Sequence, residues 1–485
     1  MLKDTISPRD AQWREALRKE KTARERSATP RVKMTELAPD YRVTCNEEVN
    51  CGLSASQAYT ESTRCLDCPD PQCVTGCPVG INIPGFIKNI ERGEIAEALC
   101  VLKETSALPA VCGRVCPQER QCESRCIYNK MKKEPVAIGY LERFAADNGV
   151  TGNEPERPVA NGHKVAVVGS GPAGLSFAGD MIKRGYEVTV YEALHQIGGV
   201  LKYGIPEFRL PNSIVEREID ALARLGVKFV KDCVIGKTLS YDDLMNEGYE
   251  GIFVASGAGL PRFMGIPGEN LIGVLSSNEY LTRINLMGAG HGGDTPVPAG
   301  KRVAVIGGGN TAMDSVRTAR RMGAEKAMIV YRRSEAEMPA RVEEVHHAKQ
   351  EGVEFMTLSN PVEYLADENG KVRAMRVQRM QLGEPDASGR RSPVPIPGAI
   401  DEIEVDLVIV SVGVSPNPLI PNSFAGLDIT SRGTIAVNDD LRSSIHTLFA
   451  GGDIVRGGAT VILAMGDGRN AAASMHQQIQ ENSNR

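Results

Sequence analysis

The sequence predicts an α/β fold: two Rossmann-like dinucleotide-binding domains, one inserted in the other, preceded by an α-helical domain. Two strand–turn–helix–strand units begin at Lys164 and Arg302, and a third glycine turn follows a strand near the C-terminus. The N-terminal third is rich in cysteine and has helical patterns instead of strand alternation. The expected boundaries are 1–155 for the helical domain, 160–298 with 428–485 for the outer α/β domain, and 299–427 for the inserted one.

Composition and charge exclude several classes of protein. The 485 residues include 41% hydrophobic and 24% charged residues, which is typical of a globular protein, and the net charge of −5 argues against a nucleic-acid partner. Residues 1–10 have no apolar core and no apolar run reaches about 18 residues, so we expect no secretion signal, no membrane span and a cytoplasmic location. The basic stretch Arg14–Lys33 is either a solvated, partly helical arm or a docking arm for a partner.

Two stretches read as connections. The segment Thr151–Gly162 is rich in Pro, Gly and Asn, and we interpret it as the linker after the helical domain. The segment Leu382–Pro397 is rich in Gly, Pro and Ser, which predicts a surface hairpin or loop.

The first strand–turn–helix–strand unit carries a dinucleotide-binding fingerprint. Its turn reads Gly169-Ser170-Gly171-Pro172-Ala173-Gly174. Gly169 allows the tight turn, Gly171 lets the backbone approach a pyrophosphate, and Gly174 lets the helix pack on the strand. Glu192 ends the second strand, where its carboxylate would accept the hydroxyls of a ribose. We predict a dinucleotide at the helix N-terminus, the alternative being a glycine-rich turn without a ligand.

The second unit carries a related turn with a different strand end. Its turn reads Gly307-Gly308-Gly309-Asn310-Thr311-Ala312, with Ala in place of the third Gly. Its second strand ends in Arg332 and Arg333 instead of an acid. An arginine pair binds a 2′-phosphate through charge-assisted contacts, whereas an acid repels it. This site is therefore predicted to bind NADP(H), the alternative being exposed arginines on a loop.

Further glycine segments distinguish the first site from the second. Gly198-Gly199-Val200 follows the acidic strand and would let the backbone lie close to a bulky ligand. Gly257 lies in a crossover of small residues after the apolar strand 251–254. Each segment alone is typical of a plain turn, but their order favours FAD at the first site.

The C-terminal segment supports the same cofactor. Gly452 and Asp453 end a strand, and Asp453 would hydrogen-bond a ribityl hydroxyl. A helix predicted to begin near Thr460 and Val461 would direct its positive end at the flavin pyrimidine, where it stabilises the negative charge of reduction.

Eleven of the twelve cysteines lie between Cys45 and Cys126. Two runs have short spacings: Cys65-x2-Cys68-x4-Cys73-x3-Cys77 and Cys112-x3-Cys116-x5-Cys122-x3-Cys126. Such spacings supply thiolates for iron–sulfur clusters, and two [4Fe-4S] clusters are the interpretation that best fits a chain with two dinucleotide sites. The alternatives are two zinc sites or disulfides.

At this point the chain resembles a known family, the small (beta) subunits of bacterial NADPH-dependent glutamate synthase, with a related architecture in the N-terminal half of dihydropyrimidine dehydrogenase. The motifs that carry the resemblance extend over nearly the full length: CLDCPDPQCVTGCPVG (65–80), CGRVCPQERQCESRC (112–126), VVGSGPAGLSFA (167–178), GGVLKYGIPEFRLP (198–211), IGGGNTAMD (306–314), YRRSEAEMPAR (331–341), EEVHHAKQEGVEF (343–355) and AGGDIVRGGATVILAMGDGRNAA (450–472).

The resemblance implies interleaved cluster ligands. One cluster would use Cys65, Cys68, Cys73 and Cys126. The other would use Cys77, Cys116, Cys122 and a non-cysteine ligand whose position falls on Glu142. This assignment departs from ligation by cysteine alone and leaves Cys112 without a role, so either Glu142 or Cys112 completes the second cluster.

The resemblance also implies the reaction. NADPH would reduce FAD, and single electrons would cross the clusters to FMN in a large (alpha) subunit, whose glutamine amidotransferase supplies the ammonia for making L-glutamate from L-glutamine and 2-oxoglutarate. Hydride transfer needs positioning only, so we expect no catalytic acid or base in this chain. The alternatives are a stand-alone or differently partnered NADPH:acceptor oxidoreductase, of the pyrimidine dehydrogenase or ferredoxin:NADP reductase type, and a scaffold without turnover.

Overall fold

The computed structural model describes residues 6–149, 156–290 and 292–483. The predicted linker 151–162 lies partly outside the described residues, and its described part, 156–162, contains neither helix nor strand. The α/β architecture with a preceding helical domain is confirmed.

The helical domain occupies the first described range. Its helices α1 to α10 are Gln12–Glu20, Ala23–Ala28, Pro39–Arg42, Ala55–Thr63, Gln72–Thr75, Ile83–Glu91, Ile95–Thr105, Pro109–Val115, Ile127–Lys130 and Ile138–Asn148, with 3₁₀ turns at Gln118–Arg120 and Glu123–Arg125. Capping boxes begin α2 and α4, where Thr22 and Ser54 accept the backbone N–H of Glu25 and Gln57. The many short helices follow from the Pro and Cys punctuation of this region.

The outer α/β domain begins after the linker. Its first elements are β1 Lys164–Val168, α11 Pro172–Lys183, β2 Glu187–Tyr191, α12 Val200–Tyr203, α13 Asn212–Leu225, β3 Lys228–Val230, α14 Tyr241–Asn246 and β4 Gly251–Val254. The chain then leaves this domain through β5 Leu260–Pro261.

The inserted domain follows. Its elements are β6 Val274–Ser276, α15 Ser277–Asn285, β7 Arg302–Ile306, α16 Asn310–Arg321, β8 Lys326–Tyr331, a 3₁₀ turn Glu335–Glu337, α17 Val342–Gln350, β9 Glu354–Thr357, β10 Ser359–Ala366, β11 Val372–Pro385, β12 Arg391–Glu404 and β13 Leu407–Val410. The predicted hairpin at 382–397 is confirmed as the turn between β11 and β12.

The chain returns to the outer domain for its last elements, β14 Val414–Ser415, α18 Leu419–Ser423, β15 Leu448–Ala450, α19 Asp453–Arg456 and α20 Val461–Ser483. The outer sheet has the strand order β15-β4-β1-β2-β3 and the inserted sheet the order β6-β13-β7-β8-β9, and both are parallel. Strands β10, β11 and β12 form a separate antiparallel sheet. The central strands are buried on both faces, as expected for parallel sheets covered by helices.

Both domain crossings differ from the predicted boundaries. Strand β6 pairs with β13, so the inserted domain begins before β6 and not at residue 299. Helix α18 buries Ile420 in the core of the outer domain, so the chain has returned before residue 428. The crossings themselves are β5 and β14, which pair antiparallel. The sequence did not indicate these crossings, because strands of two residues leave no periodic signal.

The helical domain and the outer domain share one apolar core. It includes Phe86 and Leu108 from the helical domain, Phe177 from α11 and Met465 from α20, each at most 1% exposed. Helix α20 packs along α11, where Gly468 approaches the backbone of Ala173 so closely that a side chain would not fit. The cysteine-bearing region is therefore fixed on the first dinucleotide-binding unit.

Every helix in the described part of the chain is too short or too polar to cross a membrane.

Candidate functional site

The first predicted dinucleotide site lies at the carboxyl edge of the outer sheet. Strands β1, β2, β4 and β15 end at this edge, because all four run parallel. Each is followed by a segment singled out from the sequence: the turn 169–174, Glu192, the crossover with Gly257, and Gly452-Asp453. The structure therefore brings these predicted residues together at one end of the sheet, where open α/β sheets bind their ligands.

The backbone around the first turn requires glycine. Gly169 has a φ of +101°, and a Cβ there would meet the carbonyl oxygen of Ala255 at 2.5 Å. Gly199 has a φ of +55° and approaches Gly171. No atom lies within 4 Å of the position that a Cβ of Gly171 would occupy, so the N-terminus of the twelve-residue helix α11 is accessible. An accessible helix N-terminus fits a pyrophosphate.

Glu192 is held by the turn that precedes it in the chain. Its Oε2 accepts the backbone N–H of Ser170 at 3.0 Å and the hydroxyl at 2.5 Å, and its Oε1 accepts the N–H of Leu194 at 2.9 Å. The Ser170 hydroxyl also accepts the N–H of Gly198 at 2.9 Å. The acid thus ties the glycine turn to the Gly198-Gly199-Val200 segment. Oε2 accepts two of these hydrogen bonds and Oε1 accepts one, so Oε1 retains a lone pair for a ribose.

The C-terminal part of the site is built around the start of α20. The helix begins at Val461, directly after Thr460, which confirms the predicted start. Burial raises the pKa of Asp453 to about 6, against the effect of a hydrogen bond from the Ala459 N–H. Asp467 of α20 accepts the N–H of Gly452 at 2.9 Å, which fixes the turn before Asp453.

One residue of this site was missed by the sequence reasoning. Burial, together with the carboxylates of Asp453 and Glu192, raises the pKa of Tyr203 to about 12, so the phenol lies near both predicted acids. Its carbonyl accepts the side-chain amide of Asn285 from α15, which brings the inserted domain to the edge of the site. The sequence signal for Tyr203 is its place five residues after Gly198, within the segment GGVLKYGIPEFRLP.

The second predicted site lies at the carboxyl edge of the inserted sheet. Gly307 has a φ of +144° and approaches the backbone of Ser411, while the side of Gly309 faces open space at the N-terminus of α16. The segment 338–341 folds over this turn: the N–H of Ala340 donates to the carbonyl of Gly308 at 3.1 Å. Asn310 is engaged in the same contact, because its Oδ1 accepts the N–H of Arg341 at 2.8 Å. Of the remaining predicted residues, Thr311 is exposed and Ala312 is buried.

The two predicted phosphate-binding arginines differ in their surroundings. Arg332 is exposed at the end of β8. Arg333 is 5% exposed, and its Nη2 donates to Asp386 of the β11–β12 hairpin at 2.5 Å. The structure therefore does not place them as an equivalent pair, because Arg333 is already neutralised within the fold.

Four predicted cysteines form the first cysteine group: Cys65, Cys68, Cys73 and Cys126. Burial raises the pKa of Cys73. The thiols of Cys65, Cys126 and Cys68 raise it further, so all three lie near it. Burial raises the pKa of Cys68 as well, with Cys126 as the next contribution. The first and second cysteine runs thus meet, as the interleaved assignment requires.

The second cysteine group consists of Cys77, Cys112, Cys116 and Cys122 around Glu142 of α10. A hydrogen bond to Cys112 and burial raise the pKa of Cys116 well above its usual value, and Glu142 and Cys77 add to this effect. Burial raises the pKa of Cys122, with Cys77 and Glu142 among its neighbours. The structure therefore places both candidates for the last ligand, Glu142 and Cys112, in this group.

Glu142 is buried without a hydrogen bond to its Oε1 atom. Its exposure is 5%, and burial raises the pKa of its carboxyl to about 8, with Glu218 adding to the shift. Leaving a buried carboxyl oxygen unpaired costs about 1–3 kcal/mol, so such an atom marks a place where a partner belongs. A metal ion among the surrounding thiols is a partner of the required charge.

The cysteine spacing in three dimensions disfavours the zinc alternative. All twelve cysteines are free thiols. Around one zinc ion, thiolate sulfurs lie within about 4 Å of one another, given a zinc–sulfur distance of about 2.3 Å. Within the described parts of the chain, no three cysteine sulfurs lie within 4.8 Å of one another. A cubane cluster is larger than a single ion and keeps its thiolates further apart.

The basic stretch Arg14–Lys33 supports the first cysteine group from inside the fold. Arg14 is 2% exposed and its guanidinium donates to the carboxylate of Asp67 at 2.7 Å, and Arg18 donates to the same carboxylate at 2.6 Å. Asp67 lies between Cys65 and Cys68 and has a φ of +52°. The expectation of a solvated, partly helical arm therefore holds in part: the stretch forms helices α1 and α2 and exposes Arg24, but it buries Arg14 and Arg26.

The second cysteine group lies directly against α20, the helix that begins at the first dinucleotide site. The Sγ atom of Cys112 lies 3.4 Å from the Sδ atom of Met465. One residue further, Gly466 faces the carbonyl of Pro78, which follows Cys77. The cysteine groups and the first dinucleotide site therefore share a structural element.

Comparison with protein families gives two matches. A family model described as dihydropyrimidine dehydrogenase domain II, 4Fe-4S cluster, matches residues 42–153. A second model, described as pyridine nucleotide-disulphide oxidoreductase, matches residues 163–468, which is more than half of the chain. The two matches divide the chain where the helical domain ends and the α/β domains begin.

Individual relatives span most of the chain. The small chain of NADPH glutamate synthase from Azospirillum brasilense is 37% identical over 442 residues, which cover 88% of this chain and 90% of the relative. The beta subunit of an NADP(+)-dependent formate dehydrogenase from Moorella thermoacetica is 38% identical, over 84% of this chain and 60% of the relative. Among solved structures, Mycobacterium tuberculosis FprA in complex with NADPH has a TM-score of 0.57 at 21% identity, over 68% of this chain and 86% of FprA. This last likeness concerns the fold.

Replacing Asp67 by Asn should weaken the first cysteine group. Asn tolerates the positive φ as Asp does, so the change removes only the negative charge that faces the buried Arg14. Losing one charge of a buried ion pair costs about 3–5 kcal/mol. We expect a lower unfolding temperature and less bound iron per chain. Thermal unfolding and iron analysis measure both. The matched control is Asp70→Asn, an exposed position in the same loop, and equal behaviour of the two variants would contradict the role of the ion pair.

Proposed function

The chain belongs to the family of the glutamate synthase small chains, within the pyridine nucleotide-disulphide oxidoreductases, and from this premise we propose that it is the NADPH-oxidising electron-transfer subunit of a glutamate synthase. The observation that carries the proposal is the arrangement around α20. This helix begins at the first dinucleotide site and contacts the second cysteine group through Met465 and Gly466. A site for a two-electron carrier and sites for one-electron carriers are thus packed on one element.

FAD fits the first dinucleotide site. The accessible N-terminus of α11 suits its pyrophosphate, and Glu192 suits its ribose. The residues that we assign to FAD are Gly169, Gly171, Pro172, Ala173, Gly174, Glu192, Gly198, Gly199, Val200, Gly257, Gly452, Asp453, Thr460 and Val461. Those assigned to NADPH are Gly307, Gly309, Asn310, Thr311, Ala312 and Arg332, with Arg333 in a supporting place.

Two [4Fe-4S] clusters fit the two cysteine groups. The first would be held by Cys65, Cys68, Cys73 and Cys126. The second would be held by Cys77, Cys116, Cys122 and Glu142, because Glu142 has the unpaired buried oxygen whereas Cys112 is already paired with Cys116 and Met465. Asp67 and the buried Lys88, whose Nζ donates to the Cys65 carbonyl at 2.7 Å, hold the first cysteine turn in place.

FAD, when bound, supplies the conversion between the hydride that NADPH delivers and the single electrons that iron–sulfur clusters carry. The residues of this chain bind the cofactors, orient them and shield them from water. The glycine turns at 169–174 and 307–309 expose helix N-termini to phosphates. Helix α12 contacts α15 of the inserted domain, so the inserted domain lies beside the first dinucleotide site.

The electron acceptor in this proposal is FMN in a large (alpha) subunit with a glutamine amidotransferase. The test combines the purified chain with that subunit and follows NADPH oxidation. We expect the oxidation to depend on both L-glutamine and 2-oxoglutarate and to yield L-glutamate. NADPH oxidation that proceeds equally without L-glutamine and 2-oxoglutarate, or that yields no L-glutamate, would contradict it.

A differently partnered oxidoreductase is the second candidate. The formate dehydrogenase beta subunit is 38% identical to this chain, and the glutamate synthase small chain 37%. The electron-entry half of the reaction is common to both, so only the partner separates them. Copurification from cells that express the tagged chain, followed by identification of the bound subunit, decides between the two.

Replacing Arg332 by Ala should reduce the preference for NADPH. The exposed guanidinium is available to the 2′-phosphate, and a hydrogen bond between charged groups contributes about 1.5–3 kcal/mol. We expect KM for NADPH to rise about tenfold or more, with little change for NADH. Steady-state kinetics with both donors measure the ratio. Arg391→Ala, at an exposed arginine of the β11–β12 hairpin, is the control, and an unchanged ratio in Arg332→Ala would exclude this residue.

Replacing Glu142 by Ala should remove one of the two clusters. The carboxylate is the one ligand candidate of its group with an unpaired buried oxygen, so its loss leaves three thiolates. We expect about half of the iron and acid-labile sulfide to be lost after anaerobic purification, whereas Cys112→Ala keeps both. Full retention in Glu142→Ala, together with loss in Cys112→Ala, would assign the ligand to Cys112.

A further inference from the structure

A second group of metal-binding side chains lies outside the sites described so far, where the helical domain meets the inserted domain. It consists of Glu36, Glu343 and His347, and their ligand atoms all lie within 4.8 Å of one another. We propose that these three residues, here called the interdomain triad, bind a divalent transition-metal ion that links the two domains.

Secondary structure in both domains fixes the positions of the triad residues. Glu343 and His347 are four residues apart on α17, so their side chains lie on one face of the helix. Glu36 is paired with Asn50 in an antiparallel bridge of the helical domain, which the flanking hydrogen bonds from Leu37 to Val49 and from Cys51 to Thr35 keep in register. The geometry of the triad therefore follows from backbone pairing and helix periodicity.

His347 is the observation that points to a ligand. Its exposure is 1%, and neither ring nitrogen has a hydrogen-bond partner. Its Nε2 atom lies 3.2 Å from Oε1 of Glu36, close enough for attraction, yet the pair is not aligned as a hydrogen bond. A buried imidazole whose Nδ1 has no partner among the described residues and whose Nε2 has only this misaligned contact is costly for the fold. Two ligands of one metal ion are directed at the ion and not at each other. Their donor atoms therefore lie close together without the alignment of a hydrogen bond.

The neighbours hold the carboxylates in position. Arg42 contacts the outer oxygen of Glu36 at 3.4 Å, which leaves Oε1 toward His347. Arg341 contacts Oε2 of Glu343 at 2.9 Å, and Tyr140 and Asn50 donate to its Oε1. The Oδ1 atom of Asn50 is also buried and unpaired, which offers a further oxygen ligand. The positive charges of these guanidiniums weaken the binding of a cation, so we expect chelators to remove the ion.

The donor set selects the class of ion. One imidazole and two carboxylates suit Zn²⁺, Mn²⁺ or Fe²⁺, whereas Ca²⁺ and Mg²⁺ prefer sites of oxygen alone. The ion would fasten α17, whose preceding segment 338–341 lies on the glycine turn of the second dinucleotide site. Binding at the triad would thus stabilise the domain junction at the place where that turn is held.

The test uses the full-length protein with its native cofactors and Zn²⁺ as the probe. Chelator-treated protein is equilibrated with Zn²⁺ and desalted, and zinc, iron and flavin are then quantified per chain. We expect Glu36→Gln, Glu343→Gln and His347→Gln each to hold one zinc less than the wild type at unchanged iron and flavin. We also expect Zn²⁺ to raise the unfolding temperature of the wild type and of none of the three variants.

The matched control is His346→Gln, at the neighbouring exposed histidine of the same helix, which should behave as the wild type. Glu36 is part-exposed, so Glu36→Gln decides the question if the variant at the buried His347 loses its cofactors. The proposal is overturned if wild-type protein with full iron retains no zinc, or if all three variants retain as much as the wild type.

Discussion

The arrangement of the whole protein depends on the close packing of α20 against α11 and against the second cysteine group. Gly468 lies so near the backbone of Ala173 that a Cβ would come within 2.2 Å of its carbonyl oxygen, and Gly466 faces Pro78. The hydroxyl of Ser176 donates to the carbonyl of Met465 at 2.9 Å. Helices that touch at glycines cannot shift along each other without steric clashes. The first dinucleotide site and the cysteine groups are therefore held in a fixed arrangement, and one apolar core includes residues of both.

The inserted domain is attached by charge instead of by an apolar core. Arg42, Arg317 and Arg321 converge on the buried carboxylate of Glu351, with Arg42 coming from the helical domain. Burial opposes ionisation of this acid, but the guanidiniums of Arg317 and Arg321 lower its pKa to about 2, so it is charged at neutral pH. Buried ion pairs contribute little net stability compared with apolar packing, but breaking one is costly because a lone charge remains. Such a junction favours one orientation of the domain over many similar ones.

The local motifs could be predicted from the sequence, and the long-range pairings could not. The turns at 169–174 and 307–312 are encoded by glycines that the backbone needs within a few residues, so their places and the start of α20 followed from pattern alone. The separate surroundings of Arg332 and Arg333 depend on Asp386, which a hairpin of the inserted domain brings back to β8. Likewise the burial of Arg14 depends on Asp67, and the domain crossings depend on two strands of two residues each. No spacing rule relates these positions, because each results from tertiary packing.

Both metal-binding proposals depend on buried polar atoms without hydrogen-bond partners. The atoms that surround these two sites differ. Glu142 has its unpaired oxygen among thiols, with Cys77, Cys116 and Cys122 as neighbours, so an iron–sulfur cluster is the partner of matching softness. His347 has its unpaired nitrogens among carboxylate and amide oxygens, which suits a single harder ion. Residue type alone would not distinguish these cases, since both combine an acid with a second ligand type. The distinction follows from which atoms are left unpaired after the fold has satisfied the rest, and that accounting is possible only in three dimensions.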